Sequence, residues 1–581
     1  MAKDYSNFTS EDILKIIEKQ DKELANKKYG LVWDSEKEPE KVVQECAENL
    51  PILKNEKKKA IKTDDQQDNI LIEGDNYHAL TTLNYTHKEK VDIIYIDPPY
   101  NTGASKEWKY NDIWVDKEDG YRHSKWLNFM EKRLNLAKKL LTNKGVIFIS
   151  IDDNEFSQLK LLCDKIFGEN NFINSIIVRP ANPVGLKMKN ADKRIVRTKE
   201  FMLVYAKDYS KIRFDPLYVE YENFDHFNLF LDKKNSKNPK KWVVRRIKEV
   251  IAEKTKRNIR DITNSEIRSF SLENVDQIFC SSYIADRRDR KEFAKKSREN
   301  VLIYKNPDGS VMYMYKERVL FPLKSKLKEI DGKEVPASVL CDLWLHVKWD
   351  GIANEGGVKF ANGKKPIKLI KDIIKLIKGN KNFTILDFFA GSGTTGHAVL
   401  DLNKEDGGSR NFIICTNNED NNGDGNKICE NICYPRIKNV IKGQKNKVPL
   451  EGNLQYFKTA LLKKSNNRDQ VKINLTHECT EMLCVKENIF NTQNESEDFK
   501  IFKSNKKDKF LCVYYNFMDK SFKDFLKEIK KLNGEKIIYQ FSLENNIDKE
   551  LFKGIDDIRF EAIPQKILEI YKQLVKLNIK K

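Results

Sequence analysis

The chain has 581 residues, of which 40% are hydrophobic and 33% are charged. This length predicts several domains, and the apolar fraction is too high for a chain that is disordered throughout. The net charge of +19 predicts a surface that attracts polyanions. The longest apolar stretches are strand-sized, whereas a membrane helix needs roughly 20 apolar residues. The polar N-terminus also lacks the apolar centre of a signal peptide, so we expect a cytoplasmic protein with no membrane contact.

Cysteine and histidine spacing argues against a structural metal. The ten cysteines are scattered over the chain, unlike those of a disulfide scaffold. Cys429 and Cys433 have no second pair nearby, and His477, Cys479 and Cys484 do not have the spacing of zinc ligands. We therefore expect reduced thiols and no bound metal.

Taken in chain order, the predicted elements begin with helices and then alternate. Residues 1–60 predict a helical region with a charged surface, because apolar residues recur on one side of its amphipathic segment. Apolar runs then predict strands, and one long segment, 126–143, has apolar positions at helical spacing. Such alternation predicts a parallel sheet with helices on its faces. The predicted strands of this part are 69–74, 91–97, 145–152 and 201–207.

The alternation stops between 208 and 342, where lysines, arginines and aromatic residues mix without a clear period. It resumes at 343 with predicted helices around the strands 383–389 and 411–418. The predicted fold class is therefore α/β, with one sheet interrupted by an insertion. The predicted organisation is an N-terminal region 1–60, a first half of the sheet domain 61–207, an insertion 208–342, a second half 343–465 and a small C-terminal α/β domain 466–581.

The first chemical motif is Asp97-Pro98-Pro99-Tyr100, directly after a predicted strand. Two prolines make a rigid turn that lacks backbone donors, which leaves a carboxylate, carbonyl oxygens and an aromatic ring at the end of the strand. Ligands of parallel sheets bind at that end. Acceptors beside a flat ring suit a planar base with an exocyclic NH2 group: Asp97 and the Pro98 carbonyl accept its hydrogens and Tyr100 stacks on it. The alternative interpretation is a sharp turn with an Asp cap.

The second motif is the glycine-rich segment Gly391–Gly396, which follows a predicted strand and opens a helix. Glycines there let a ligand approach the backbone N–H groups of the helix N-terminus. His397 and Ala398 stand where a phosphate-binding loop has Lys and Ser or Thr, which disfavours nucleotide hydrolysis. At the end of the next strand, Glu419 stands where an acidic side chain reaches ribose hydroxyls. Together these features indicate an adenosine-containing ligand that carries a carboxylate.

These motifs carry a family resemblance. A DPPY motif that precedes FAGSGTTG (389–396), with a long insertion between them, resembles the β-group amino-methyltransferases. These enzymes modify adenine N6, or less often cytosine N4, with S-adenosylmethionine. The flanking segments resemble the modification (Mod) subunit of Type III restriction-modification systems. They are KKYGLVWDSE (27–36), LIEGDNYHAL (71–80), VDIIYIDPPYNTG (91–103), EGGVKFANGKKP (355–366) and TILDFFAGSGTTGHAV (384–399).

The resemblance implies a Rossmann-like S-adenosylmethionine-dependent methyltransferase sheet interrupted by a target-recognition domain. It also implies roles for individual residues. The catalytic pocket would be formed by Asp97, Pro98, Pro99 and Tyr100, and the cofactor site by Asp75, Lys365, Pro366, Asp387, Phe389, Gly391, Gly393, Thr394, Thr395 and Glu419. Two alternatives stay open, because Asp75 could simply cap a helix over 76–83 and Pro366 could simply begin a helix.

The predicted reaction is direct methyl transfer to an amino group of double-stranded DNA. A base inside a duplex cannot reach such a pocket and must be flipped out. Residues 231–260 contain twelve Lys or Arg against three Asp or Glu, and we predict that this basic segment, with a helix over 240–260, contacts DNA. The candidate DNA-binding residues are Lys240, Lys241, Arg245, Arg246 and Arg257.

The resemblance further implies a homodimer and a nuclease–helicase (Res) subunit as partner. Four alternatives remain: an orphan methyltransferase without such a partner, a cytosine-N4 enzyme, an RNA methyltransferase, and a DNA-binding regulator with a decayed catalytic fold. Asp rather than Ser at position 97 favours adenine.

Overall fold

The computed structural model describes most of the chain, and contacts divide it into two units. Unit 1 comprises Met1–Phe214 and Asp342–Lys581, and unit 2 is Asp215–Cys341. The insertion predicted from the sequence spans 208–342. The described residues are 14, 40–63, 68–102, 121–180, 191–193, 195–221, 224–233, 236–284, 288–330, 332–360, 363–418, 425, 427–444, 448–463, 467–505, 507–516, 520–543 and 546–579.

Strands and helices alternate through most of unit 1. The strands, in chain order, are β1 (Asn49–Asn55), β2 (Asp68–Glu73), β3 (Val91–Ile96), β4 (Leu141–Ile151), β5 (Phe172–Val178), β6 (Glu200–Ala206), β7 (Tyr218–Glu220), β8 (Leu229–Asp232), β9 (Val243–Arg246), β10 (Ile278–Ser282), β11 (Leu302–Lys305), β12 (Val311–Tyr315), β13 (Arg318–Pro322), β14 (Leu327–Ile330), β15 (Lys333–Val339), β16 (Leu343–Trp344), β17 (Thr384–Asp387), β18 (Asn411–Thr416), β19 (Asn453–Lys463), β20 (Asn491–Glu495), β21 (Phe499–Lys503), β22 (Lys509–Tyr514), β23 (Glu535–Phe541) and β24 (Ile558–Ile563). The α-helices are α1 (Lys41–Glu48), α2 (Asn76–Thr86), α3 (Arg122–Leu140), α4 (Phe156–Phe167), α5 (Ile247–Thr255), α6 (Asn264–Glu273), α7 (Arg288–Lys295), α8 (Ile367–Leu376), α9 (Thr394–Asp406), α10 (Tyr434–Lys442), α11 (Arg468–Glu478), α12 (Thr480–Glu487), α13 (Lys520–Lys530) and α14 (Gln565–Ile579).

Unit 1 is built on a ten-stranded sheet with the order β1-β19-β2-β18-β17-β3-β4-β6-β5-β16. The six strands from β19 to β4 each pair in parallel with the next. Parallel strands are covered on both faces and therefore read as nearly continuous apolar runs, which is the pattern that the sequence shows. Strand β6 pairs antiparallel with β4 and with β5.

The strand order brings together two segments that are far apart in the sequence. Strands β17 and β3 are parallel neighbours, with Ile385 opposite Ile93 and Leu386 opposite Ile94. The turns that leave these two strands therefore start side by side at one edge of the sheet. The predicted α/β fold is confirmed, and its two motif-bearing strands are adjacent.

The main core of unit 1 lies between this sheet and helices that include α2, α3 and α4. Ile94 and Ile96 of β3 belong to this core together with Trp126 of α3. Ile93 is equally buried but lies outside the cluster, as expected for alternate residues of a strand whose two faces are both covered. Burial of both faces fixes the register of β3 and, with it, the position of the turn that follows.

A smaller five-stranded sheet, in the order β20 to β24, forms the C-terminal part of unit 1. Its last three strands are parallel, and α13 connects β22 to β23. Phe525 and Ile529 of α13 pack with Cys512 and Phe510 of β22 in a separate core cluster. The elements of this part are those that the sequence predicts for the C-terminal segment.

Unit 2 consists of antiparallel sheets and short helices. A six-stranded sheet has the order β11-β12-β13-β10-β8-β9, and a three-stranded sheet has the order β14-β15-β7. Ile247 and Ile251 of α5 pack with Phe227, Phe230 and Ile278 in the core of the unit. The irregular sequence pattern of this region therefore belongs to short antiparallel strands that pair with distant partners.

Three predictions differ from the structure. Residues 49–55, placed in the N-terminal helical region, form the strand β1, which pairs with β19; the predicted helix in 11–28 lies, apart from Leu14, outside the described residues. The predicted helix 240–260 is wrong in its first part, because Val243–Arg246 pairs with β8 as a strand. Only Ile247–Thr255 is an α-helix there.

The described part of the chain contains no helix that combines the length and the apolar character needed to cross a membrane.

Candidate active site

The turn after β3 carries Asp97, Pro98, Pro99 and Tyr100. Strand β3 ends at Ile96, so the Asp97 carboxyl group stands at the edge of the sheet where its parallel strands end. The hydroxyl of Tyr100 donates a hydrogen bond to Oδ1 of Asp97 at 2.6 Å. Burial raises the pKa of Asp97, and the ammonium of Lys365 acts in the opposite direction. The turn thus presents a half-buried carboxyl group next to an aromatic ring.

Lys365 lies against this turn, although it is far away in the sequence. Its Nζ is 2.7 Å from the Tyr100 hydroxyl, 2.7 Å from Oε2 of Glu200 and 3.2 Å from Oδ1 of Asp97. The ammonium also lies 5.1 Å from the centroid of the Tyr100 ring. Burial alone would lower the pKa of Lys365, but the two carboxylates raise it well above its usual value. The site therefore combines one cation with two acidic side chains.

Glu200 was missed by the sequence analysis. It is the first residue of β6, and Phe201 beside it pairs with Ile151 at the end of β4. Because β6 runs antiparallel to β4, its start lies at the edge where the parallel strands end. A signal was present, since a single Glu directly precedes the apolar run 201–206. The direction of the strand, which places this Glu in the site, could not be read from the sequence.

Trp126 and Glu155 support the turn from behind. The indole Nε1 of Trp126, a fully buried residue of α3, donates a hydrogen bond to the Pro99 carbonyl at 2.8 Å. Asn101 follows the motif in the left-handed conformation, with φ of 57°, and its amide donates to Glu155 at 2.7 Å. These contacts hold both sides of Tyr100, so the orientation of its ring is set by the surrounding fold.

The turn after β17 contains the glycine-rich segment. Gly391 and Gly393 have φ of 51° and 78°, which is a conformation that residues with a side chain rarely adopt. The Ala390 N–H donates to the Cys415 carbonyl on β18 at 3.0 Å, and α9 begins at Thr394. The strand–turn–helix arrangement predicted for this motif is present, and the N-terminus of α9 lies at the edge of the sheet.

Asp387 closes this turn from below. Its Oδ2 accepts a hydrogen bond from Thr395 Oγ1 at 2.5 Å, and its Oδ1 accepts one from the N–H of Phe389 at 3.0 Å. Burial raises the pKa of Asp387 to about 7 in spite of these hydrogen bonds. Asp97 contributes to this increase through its charge, which is consistent with the two strand ends being neighbours.

Arg436 is a second residue that sequence reasoning missed. It belongs to α10, is fully buried, and donates to Thr394 Oγ1 at 2.7 Å and to Ser392 Oγ at 3.0 Å. Its guanidinium also lies 3.5 Å from Glu355. In the sequence this arginine sits among surface-type residues of a helix, so nothing distinguished it from an exposed one. It ties the glycine-rich turn to α10.

Asp75 acts as the N-cap of α2. Its Oδ1 accepts a hydrogen bond from the Tyr77 N–H at 2.6 Å, and its Oδ2 lies 3.6 Å from the buried guanidinium of Arg133. The capping alternative is therefore present in the structure. The next residue, Asn76, donates to the Phe388 carbonyl at 3.1 Å, which joins this turn to the turn after β17.

The remaining predicted site residues fall into two groups. Pro366 is the N-cap of α8 and continues from Lys365, so it fixes the start of that helix as well as the approach of the lysine. Phe389 packs against Phe129 of α3, with ring centroids 5.9 Å apart. Glu419 lies outside the described residues.

The predicted DNA-binding residues all lie in unit 2, but not as one basic helix. Arg245 forms an ion pair with Glu253, and Arg257 forms one with Glu266 at 2.7 Å. These two arginines are therefore already paired, contrary to their predicted availability. Lys240, Lys241 and Arg246 are exposed.

Comparison with known proteins agrees with this geometry. The family model described as DNA methylase matches residues 91–434, from the start of β3 into α10. The chain is 30% identical over 466 residues to the Type III restriction-modification enzyme EcoPI Mod subunit of Escherichia phage P1, covering 71% of this chain and 67% of that protein. It is 32% identical over 382 residues to the StyLTI Mod subunit of Salmonella typhimurium, covering 60% and 52%.

A third relative belongs to another class of system. The chain is 32% identical over 368 residues to the Type II methyltransferase M.KpnI of Klebsiella pneumoniae, covering 59% of this chain and 79% of that protein. The chain thus spans about half to four fifths of these relatives' lengths. The family match covers more than half of the chain and includes both motif-bearing turns. The chain therefore belongs to the DNA methylase family and is similar to the Mod subunits of Type III restriction-modification enzymes.

Proposed function

We propose that this DNA methyltransferase transfers a methyl group from S-adenosylmethionine to N6 of an adenine in double-stranded DNA. The observation that carries the proposal is the adjacency of β3 and β17, which starts the turn with Asp97 and the turn with Gly391 side by side. One turn suits an amino group and the other suits the ligand of a glycine-rich loop. Two turns with these properties at neighbouring strand ends support transfer of a small group between their ligands.

The chemistry of the first turn fits a target amino group. The Asp97 carboxylate and the Pro98 carbonyl are acceptors for its two hydrogens, and the Tyr100 ring offers a stacking surface. As the nitrogen gains a methyl group it acquires a positive charge, which the adjacent carboxylate stabilises until a proton leaves. Aspartate at this position, together with Glu200, favours adenine over cytosine as the base.

The second turn and its surroundings fit the cofactor. Gly391, Gly393 and the N-terminus of α9 would receive its carboxylate, with Thr394 and Thr395 beside it. The acidic groups Asp97, Glu200 and Asp387 outnumber the single cation Lys365, and such an excess suits a ligand that carries a sulfonium and an ammonium group. When bound, S-adenosylmethionine supplies an electrophilic methyl group. The task of the chain is positioning, which can lower a barrier by roughly 7–11 kcal/mol.

DNA would present its base by flipping, since an adenine inside a duplex cannot enter a turn of this kind. Stacking on Tyr100 offsets part of the cost of a few kcal/mol. Among the basic residues singled out from the sequence, we assign phosphate contacts to Lys240, Lys241 and Arg246, which are exposed in unit 2. Arg245 and Arg257 serve first to hold the local structure through their ion pairs.

The assembly is proposed by analogy with the relatives. The Mod subunits named above belong to Type III restriction-modification enzymes, and we propose that this chain acts in the cytoplasm as a homodimer with a restriction (Res) subunit. The similarity to M.KpnI supports the alternative of a methyltransferase that acts without such a subunit.

The proposal is tested with purified protein, S-adenosylmethionine labelled in its methyl group, and unmethylated genomic DNA. Mass spectrometry of the digested nucleosides should find the label in N6-methyladenine and not in N4-methylcytosine. The Asp97→Ala variant serves as the control and should leave the DNA unlabelled. Label in cytosine, or transfer to RNA in preference to DNA, would replace this proposal with one of the alternatives.

A further inference from the structure

Glu200 has a place in the candidate active site but no role in either sequence motif. Its Oε2 accepts a hydrogen bond from Lys365 Nζ at 2.7 Å and one from the Tyr100 hydroxyl at 3.2 Å. The side chain is 19% exposed. A carboxylate that is largely removed from water is costly unless such partners hold it, so its presence beside a reacting group calls for an explanation.

The donors of Lys365 indicate what Glu200 does. An ammonium group has three hydrogens to donate, and three oxygen atoms surround it, on Tyr100, Glu200 and Asp97. The distance to Glu200 is 2.7 Å, whereas the distance to Asp97 is 3.2 Å. The lysine is therefore shared between two carboxylates and lies nearer to the one outside the DPPY motif.

We propose that Glu200 is a positioning residue that draws the Lys365 ammonium away from Asp97, so that Asp97 remains a strong acceptor for the target amino group. Without Glu200, the lysine would pair with Asp97 alone. A carboxylate in a direct ion pair is a weaker acceptor for a second donor and a weaker base. This inference rests on the proposed function and gives the second carboxylate of the site a part in it.

The charges around Asp97 are consistent with this role. Lys365 lowers its pKa and Glu200 raises it, while burial contributes most to the upward shift. The other groups that face Asp97 are Asp387 at the end of β17, the Tyr100 hydroxyl in the same turn and Tyr95 on β3. Burial and the nearby carboxylates keep the pKa of each phenol well above its usual value, so both stay neutral. Glu200 and Lys365 are thus the pair that sets the balance.

The test uses Glu200→Gln, which keeps the shape of the side chain and removes its charge. The ionised form of Asp97 then becomes easier to form, so the acid limb of the pH profile of kcat/KM for DNA should move to lower pH by roughly one unit. We expect kcat to fall about tenfold at neutral pH, with no change in the Kd of S-adenosylmethionine. Lys365→Met should move the acid limb in the opposite direction.

A matched control separates this effect from lost packing. Glu131→Gln breaks another Glu–Lys contact, at 3.0 Å to Lys165, on the part of α3 away from the site. This control should leave the acid limb where it is in the wild type. An acid limb that does not move in Glu200→Gln, or that moves in the same direction as in Lys365→Met, would overturn the inference.

A second readout does not depend on turnover. Aspartate labelled with carbon-13 at its carboxyl carbon, with the Asp97→Asn variant to assign the signal, reports the titration of Asp97 by NMR. The signal should titrate at lower pH in Glu200→Gln than in the wild type, and an equal or higher pH would refute the inference. If the wild type methylates no adenine while this shift is present, the proposed function fails and the Glu200–Asp97 coupling stands.

Discussion

The two turns at the edge of the sheet are held in different ways. The turn after β3 is surrounded by charged side chains, with Lys365 between Asp97 and Glu200. The turn after β17 is held by backbone hydrogen bonds and by the buried Arg436, and its glycines adopt conformations closed to other residues. Side-chain contacts can be exchanged when a base enters, whereas the second turn must keep its shape. The difference indicates that the first turn performs chemistry and the second holds a ligand.

The largest expected effect separates these two roles. Asp97→Ala removes the acceptor for the amino group, and we expect transfer to fall about a thousandfold or more. Binding of S-adenosylmethionine, measured by calorimetry, should stay close to that of the wild type because the second turn is intact. Tyr100→Ala should behave in the same way. Methylation by Asp97→Ala at a near wild-type rate would remove Asp97 from the mechanism.

The reverse result is expected for the second turn. Gly393→Ala forces a side chain into φ of 78° and places its Cβ 3.0 Å from Sγ of Cys433. The left-handed conformation alone costs about 1–2 kcal/mol, so we expect the Kd of S-adenosylmethionine to rise about tenfold or more. Gly407→Ala is a matched control, because Gly407 has φ of 67° at the end of α9 with open space around it. Equal cofactor affinity in both variants would argue against the assigned loop.

A smaller effect is expected from the support of the first turn. Trp126→Phe removes the hydrogen bond to the Pro99 carbonyl and keeps an aromatic ring in the core. A hydrogen bond of this type is worth about 1 kcal/mol, so kcat should fall about fivefold with cofactor Kd unchanged. Trp344→Phe alters another buried indole, on β16, and should leave kcat unaffected. If both variants lose kcat to the same extent, the effect is one of stability and not of position.

The smallest effect concerns the pH dependence of stability. Burial raises the pKa of Asp387 to about 7, above the value of about 3.9 expected in the unfolded chain. Stability from this group is therefore complete below about pH 3.9 and is lost as the pH rises towards 7 and above. Asp387→Asn removes this dependence, so the Tm of the wild type should fall more between pH 5 and pH 8 than that of the variant. Parallel Tm curves would contradict the assignment of a raised pKa.

Much of unit 1 could be predicted from local sequence. Strands β3, β17 and β18 are apolar runs buried on both faces, and proline or glycine marks the turns after β3 and β17. Both motifs could therefore be assigned to strand ends. Their adjacency follows from the strand order, which no local pattern contains and which the family resemblance implied.

The residues that were missed share a physical reason. Glu200 enters the site because β6 runs antiparallel, and Arg436 is buried because α10 packs against the glycine-rich turn. Neither strand direction nor burial of a single charged residue leaves a periodic signal. The error at 243–246 has a related cause, since this strand exists through its pairing with β8 and its basic residues resemble those of the helix that follows.

The central claim is that Asp97 and the glycine-rich turn serve one transfer reaction on DNA. Long-read sequencing of DNA from a host that expresses the chain, beside a host that expresses Asp97→Ala, tests it most directly. We predict N6-methyladenine at a single sequence motif with the wild type and unmodified adenine at that motif with the variant. Modified adenine in both hosts, or modified cytosine with the wild type, would contradict the account.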